Sequence, residues 1–280
     1  MGTDDAAGWI LVGIDGSADG LRAVLYAMRE ARVSGASLRL VHVVDETRMA
    51  AGLWELVADS RDLKRTGLGH LREAEDLLSS EGFPSERVSS EVILGDPARE
   101  LSLLSADARL AVVGRRAMSG LERMFVGSTS VAMAAQARCP VIVISAASTP
   151  HETGRLHVVA VVVNAWPPRD GCLEWAVREA GARQARLRVL RLVPQPLASA
   201  SGVVSAAMIE LDNHVSALRE DQREVPIETE VVAGNPIDEV VAASRVVDLV
   251  ILDVTSEPAA LSGLTRGVMA HAYCPVGLWK

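Results

Sequence analysis

Between Val113 and Ser130 the chain reads VGRRAMSGLERMFVGSTS, a stretch that concentrates the residue types able to hold an anion. Gly127, Ser128, Thr129 and Ser130 combine a glycine, which lets backbone approach closely, with three hydroxyls that can donate hydrogen bonds. An apolar run, Leu110-Ala111-Val112-Val113, precedes the stretch as a buried parallel strand would, and a helical pattern through Val131, Met133 and Ala134 comes after it. The loop therefore joins the carboxyl end of a strand to the start of a helix. At such a place the N–H groups of the first helical turn and the helix dipole favour a phosphate. The same composition also makes an ordinary N-cap, so locally both readings stand.

Other residues carry paired readings. Asp15, after the first apolar run, suits either a ribose or magnesium-bound water, or a simple turn. Arg115 and Arg116 suit either a phosphate clamp or a solvated loop. His42 lies within an apolar strand and reads as a structural histidine. Cys139 and Cys274 each precede a proline at a strand start, which points to packing rather than redox chemistry. The three cysteines, with Cys172, are too few and scattered for a disulfide framework or a zinc site. No residue pairs a nucleophile with a base, so neither a catalytic nor a metal-ligating residue is assigned. The absence of a GxxxxGK[ST] loop excludes a P-loop hydrolase, and the absence of GxGxxG after the first strand argues against a dinucleotide oxidoreductase.

The elements that position these residues alternate strand and helix. Trp9 to Ile14 is a strand running into Asp15-Gly16-Ser17, a turn and candidate N-cap, and Leu21, Val24, Leu25 and Met28 then fall at helical spacing. LRLVHVV, Leu38 to Val44, is the next buried strand. A loop is expected from Asp45 to about Arg61, then a helix on Leu71, Ala74, Leu77 and Leu78 that stops at Gly82 and Pro84. Val88 to Leu94 is a strand, Gly95-Asp96-Pro97 a turn, Ala98 to Ala106 a short helix. Cys139-Pro140 introduces a last strand, Val141 to Ile144. Ser145 to Arg155 lacks periodicity and reads as a linker.

The chain beyond this linker repeats the chain before it. An offset of 149 carries Asp15 onto Asn164, Tyr26 onto Trp175 and Glu30 onto Glu179. EVILGDP at Glu91 and EVVAGNP at Glu230 differ by 139, and Cys139-Pro140-Val141 and Cys274-Pro275-Val276 by 135. The shrinking offset marks two shortened connections in a duplicated domain, with expected domains at 1–147 and 155–280. Composition agrees with helices on buried parallel sheets: 49% hydrophobic but only 3% aromatic. A net charge of −8 argues against a nucleic-acid surface. The N-terminal MGTDDAAGW lacks the pattern of a secretory signal, and no apolar run reaches the roughly 18 residues of a membrane helix, so a cytoplasmic location is expected.

The first strand with Asp15-Gly16-Ser17, the LVHVV strand, the GDP turn, the glycine loop after Val113 and the CPVIV ending together resemble the universal stress protein family, specifically its tandem two-domain members. The resemblance spans the whole chain twice. It implies two tandem Rossmann-like, adenine nucleotide alpha hydrolase-like domains of α/β class, each a five-stranded parallel sheet with helices on both faces. It also implies pairing of the two halves through the Cys139 and Cys274 strands, and the chain could further form a homodimer.

Members that bind ATP carry Gly, two residues, Gly, nine residues, Gly and then Ser or Thr. Gly114 and Gly127-Ser128 match, but Ala117 stands where the second glycine belongs. The resemblance assigns Asp15 to the nucleoside, Val43 to adenine, and Arg116, Gly127, Ser128, Thr129 and Ser130 to the phosphates, with Gly114 opening the loop. If the Ala117 position needs positive φ or backbone contact with phosphate, its methyl costs on the order of 1 kcal/mol. In the second half Asn164-Ala165-Trp166 replaces Asp15-Gly16-Ser17, Asp253 replaces Gly114, and neither Ser262-Gly263 nor Gly263-Leu264 restores the Gly-Ser start. A carboxylate beside a phosphate is repelled by roughly 1 to 4 kcal/mol. The expected function is a stress-response regulator binding ATP, with or without magnesium, in its first domain only, through a protein partner the sequence does not name. A nucleotide-independent scaffold and a slow ATPase are the alternatives.

Overall fold

A computed structural model describes residues 8–45, 60–115, 126–148, 156–168, 171–254 and 261–280. The chain divides into two compact units, Met1–Ala146 and Ala147–Trp279. In the first unit the order is β1 (Trp9–Gly13), α1 (Ala18–Ser34), β2 (Ser37–Asp45), α2 (Ser60–Ser80), β3 (Val88–Gly95), α3 (Pro97–Leu104), β4 (Ala108–Gly114), α4 (Ser128–Gln136) and β5 (Val141–Ile144). The strands lie in the order β3-β2-β1-β4-β5, all parallel. The chain steps outward from β1 to β3, then returns to β4 and continues to β5. Right-handed crossovers on a path that reverses in this way put α1 and α2 on one face and α3 and α4 on the other. Accordingly α1 packs beside α2, and α3 beside α4.

The apolar strand runs form the core: Leu11, Val12, Ala111, Val112, Val141 and Ile142 are fully buried. Local signals set the helix ends. Ser17 caps α1, its Oγ accepting from the N–H of Gly20 at 3.1 Å, and the helix ends on Gly35 in the left-handed region. The GDP turn is a cap as well: Asp96 accepts from the N–H of Arg99 at 2.8 Å, and Pro97 occupies the first turn of α3. The expected helix Ala98 to Ala106 breaks into α3 and a 3-10 turn, Ser105–Asp107, because the Ser105 hydroxyl turns back onto the Ser102 carbonyl at 2.7 Å. Of the loop expected from Asp45 to Arg61, residues 46–59 lie outside the described residues, while Ser60 and Arg61 already belong to α2.

The second unit repeats this order with β6 (Val158–Val163), α5 (Cys172–Ala182), β7 (Arg186–Pro194), α6 (Gln195–Ala198), α7 (Val203–Asp221), β8 (Ile227–Gly234), α8 (Pro236–Ala243), β9 (Leu249–Asp253), α9 (Gly263–His271) and β10 (Val276–Trp279). Its strands lie in the order β8-β7-β6-β9-β10, again parallel. Asn235 caps α8 as Asp96 caps α3. No described helix is long and apolar enough to cross a membrane.

Candidate functional site

A cavity of about 570 Å³ opens at the carboxyl ends of β1, β2 and β4, the crevice where open α/β sheets take ligands. Asp15, Val43, Gly114, Gly127, Ser128, Thr129 and Ser130, seven of the eight residues singled out in the sequence, line it together. Arg116 and the neighbouring Ala117 lie outside the described residues.

Asp15 forms the turn and also lines the cavity. Its Oδ1 accepts from the N–H of Ser17 at 3.0 Å and from the Ser17 hydroxyl at 2.6 Å, which makes it the turn former, and its exposed carboxylate also stands on the cavity wall. Gly114 has a reason the sequence does not state. A Cβ there would lie 2.7 Å from the Asp19 carbonyl carbon and 2.7 Å from the Gly20 nitrogen, so the residue is glycine because α1 crosses it. Gly127 is the N-cap residue of α4, at φ −61° and ψ 146°, where any residue fits. Gly127 brings no capping side chain of its own, and the N–H groups of Ser128, Thr129 and Ser130 have no acceptor within the helix. The three hydroxyls are not equivalent. Ser130 is buried and donates to the Gly114 carbonyl at 2.8 Å, tying β4 to α4, whereas Ser128 is exposed and Thr129 half-buried. The start of α4 thus presents backbone donors and two hydroxyls, the arrangement that receives an anion.

Arg115 matches neither sequence reading. Its side chain is only 4% exposed, and its N–H donates to the Ile144 carbonyl at 2.6 Å. The guanidinium works with Arg22 to stabilise the Asp19 carboxylate, whose pKa is nonetheless pushed up by burial.

The sequence reading missed Asp45, Asp96, His42 and Thr66, all of which line the cavity. Asp45 and Asp96 were legible as acids ending β2 and following β3, as Asp15 follows β1. His42 is the structural histidine expected, its Nδ1 donating to the Ile14 carbonyl at 2.8 Å, and it is also part of the wall. Three carboxylates therefore face the cavity, and no Lys or Arg is among its described lining residues.

The second unit shows what happens when the same strand ends lose these features. Between Asn164, Cys172 and Asp253, at the ends of β6 and β9, lies a void of about 10 Å³. Ser262 caps α9, its Oγ accepting from the N–H of Thr265 at 3.1 Å, so this helix start satisfies its own donor. At the ends of β6 and β7 a separate cleft of about 290 Å³ holds Trp166 with the Arg191 guanidinium 3.9 Å above its ring. Arg191 is further held by the Ala207 carbonyl and Glu210, each at 2.8 Å, so its charge is matched from within.

The model of the universal stress protein family matches residues 9–145 and 156–278, one segment in each unit. The chain belongs to the universal stress protein family. Its two matched segments make it a tandem member. A universal stress protein of Mycobacterium tuberculosis is 29% identical over 188 residues, a match covering 67% of this chain and 66% of that relative's length. The solved structure of a universal stress protein from Archaeoglobus fulgidus superposes with a TM-score of 0.73 at 15% identity, covering 98% of this chain and 96% of that one, a likeness of fold. A universal stress protein solved in complex with cAMP aligns at 25% identity over 49% of this chain and 95% of its own, with a TM-score of 0.36.

Proposed function

We propose that the first unit of this universal stress protein binds an adenine nucleotide, ATP in particular, and that occupancy regulates the protein's engagement with a protein partner in a stress response. The observation that carries this reading is the meeting of Asp15, Val43, Gly114 and Gly127 to Ser130 on one cavity of about 570 Å³ beside the glycine-led start of α4. Val43 would face the base, Asp15 the ribose, and the Ser128 and Thr129 hydroxyls with the α4 N–H groups the phosphates. Asp15, Asp45 and Asp96 favour a nucleotide whose charge is offset by magnesium. No group of three His, Cys, Asp or Glu among the described residues could hold a metal, so magnesium would arrive with the phosphates. The second unit, with its capped α9 and Asp253 beside a void of about 10 Å³, is read as not binding ATP in this manner.

The test is calorimetric titration of nucleotide-stripped protein with ATP and magnesium, beside a Gly127→Trp variant that fills the α4 start. One ATP per chain, lost in the variant, is expected. Two ATP per chain would overturn the reading of the second unit. No binding at millimolar ATP would leave the protein as a nucleotide-independent scaffold.

A further inference from the structure

Helix α2 closes one side of the cavity through Leu63 and Thr66, and it rests on a pair of histidines. His42 of β2 and His70 of α2 lie with ring centroids 5.4 Å apart. Since a carbonyl only accepts, the 2.8 Å contact to Ile14 puts the proton of neutral His42 on Nδ1 and leaves Nε2 as the basic atom. That atom is pressed against α2: a Cβ on Gly67 would lie 2.4 Å from His42 Cδ2 and 3.1 Å from Nε2. His70 is packed as closely on the other side, its ring 2.3 Å from where a Cβ of Gly16 would sit. Helix α2 can approach the sheet this far because both positions are glycine.

The groups around His42 divide by sign. Burial in this packing is the strongest influence and holds its pKa below the usual 6.5; the Ile14 carbonyl pulls upward, His70 from α2 adds to the lowering, and Asp15 from the β1–α1 turn pulls upward. Asp45 on its own strand and Asp96 at the start of α3 stand on the same cavity wall, and Val92 of β3 pairs with it in register.

We propose that His42 and His70 form an acid-sensitive latch, in which protonation of His42 Nε2 loosens α2 from the sheet and with it the wall that α2 gives the cavity. A protonated Nε2 carries a new N–H and a charge against the Gly67 backbone and towards His70, and separation of α2 lets water reach both. A base held below its free pKa keeps its packing intact above about 6.5 and loses it as pH falls. The consequence for a ligand rests on the reading of the cavity as a nucleoside site; the loosening of α2 does not.

The experiment tracks His42 ring resonances and amide exchange in the ligand-free protein from pH 8 to 5, in the wild type, His70→Gln and His42→Asn. Exchange in α2, corrected for its intrinsic pH dependence, is expected to rise by up to tenfold per pH unit as pH falls from about 6.5 to the His42 midpoint, and to level off below it, while β4 stays protected. His70→Gln removes the like charge, so the midpoint moves to higher pH. In His42→Asn, whose amide keeps a donor for Ile14, the pH dependence disappears. Exchange in α2 that ignores pH, or an unmoved midpoint in His70→Gln, would overturn the latch. Adenosine, which has no titrating phosphate, reads the coupling: its affinity should fall by up to tenfold per pH unit below the His42 midpoint. Adenosine binding indifferent to pH while α2 loosens would overturn the coupling alone. Lack of adenosine binding at pH 8 would count against the nucleoside reading and leave the latch to stand or fall on exchange.

Discussion

Single residues here are chosen as often for backbone geometry as for chemistry. Gln184 sits at φ 52° after α5, where its N–H reaches the Gly181 carbonyl at 3.0 Å and that of Ala185 reaches Ala180 at 2.9 Å, the two bonds of a Schellman ending. Its counterpart in the first unit, 149 positions earlier, is Gly35, which holds the left-handed conformation without strain. Gln184→Gly should therefore stabilise the second unit by about 0.5–1 kcal/mol, read from chemical denaturation, because the Cβ penalty is removed at an existing left-handed position. Gly114 invites the opposite change. Gly114→Ala would drive a methyl into the α1 backbone at Asp19 and Gly20 and should cost roughly 1–3 kcal/mol. Denaturation without any ligand would reveal that loss, which separates the packing role of Gly114 from a ligand role.

At the scale of elements, two helix starts with the same place in the fold differ in one oxygen. Helix α9 takes its cap from Ser262, whereas α4 begins at Gly127 with no side-chain acceptor. Gly127→Asp supplies α4 with a strong cap in a conformation that accepts it, and should raise the stability of the ligand-free protein by a few tenths of a kcal/mol. The same carboxylate would compete for the N–H groups and repel phosphate, so ATP affinity should drop while stability rises. A variant that gained both would show that the start of α4 does not face the nucleotide. Elements were well marked in the sequence because periodicity and caps are local: Val141–Ile144 is strand as expected, and the GDP and GNP turns end in the caps their Asp and Asn imply. Boundaries moved where a side chain bonded outside the pattern, as Ser105 did.

Across the whole molecule the duplicated units have kept one architecture, with a cavity of about 570 Å³ at the strand ends of the first and a cleft of about 290 Å³ at those of the second. If ATP binds only in the first unit, saturation at 100 times Kd should stabilise that unit by about 2.7 kcal/mol. Hydrogen exchange should then show new protection in β1, β2, β4 and α4, with β6 to β10 unchanged. The cysteines should be silent throughout. Burial pushes the Cys139 thiol to about 12 and raises Cys172 and Cys274 as well. An aromatic disulfide reagent at pH 8 is expected to modify none of the three in the folded protein and all of them in denaturant. Reaction of any one in the folded state would reopen a redox role.

Duplication, alternation of strand and helix, and the cluster of glycine and hydroxyls after β4 were all determined by the sequence, because each is a pattern of residue types along the chain that needs no contact between distant segments to be read. The tertiary structure alone decided what depends on segments far apart meeting. It turned Arg115 inward towards Asp19, directed the Ser130 hydroxyl to Gly114, and made α1 the reason for that glycine. It also brought Asp45, Asp96 and His42 to the cavity and set His70 against His42. A side chain's proton or charge goes to whichever partner folding brings within reach, and those partners lie on other strands and helices.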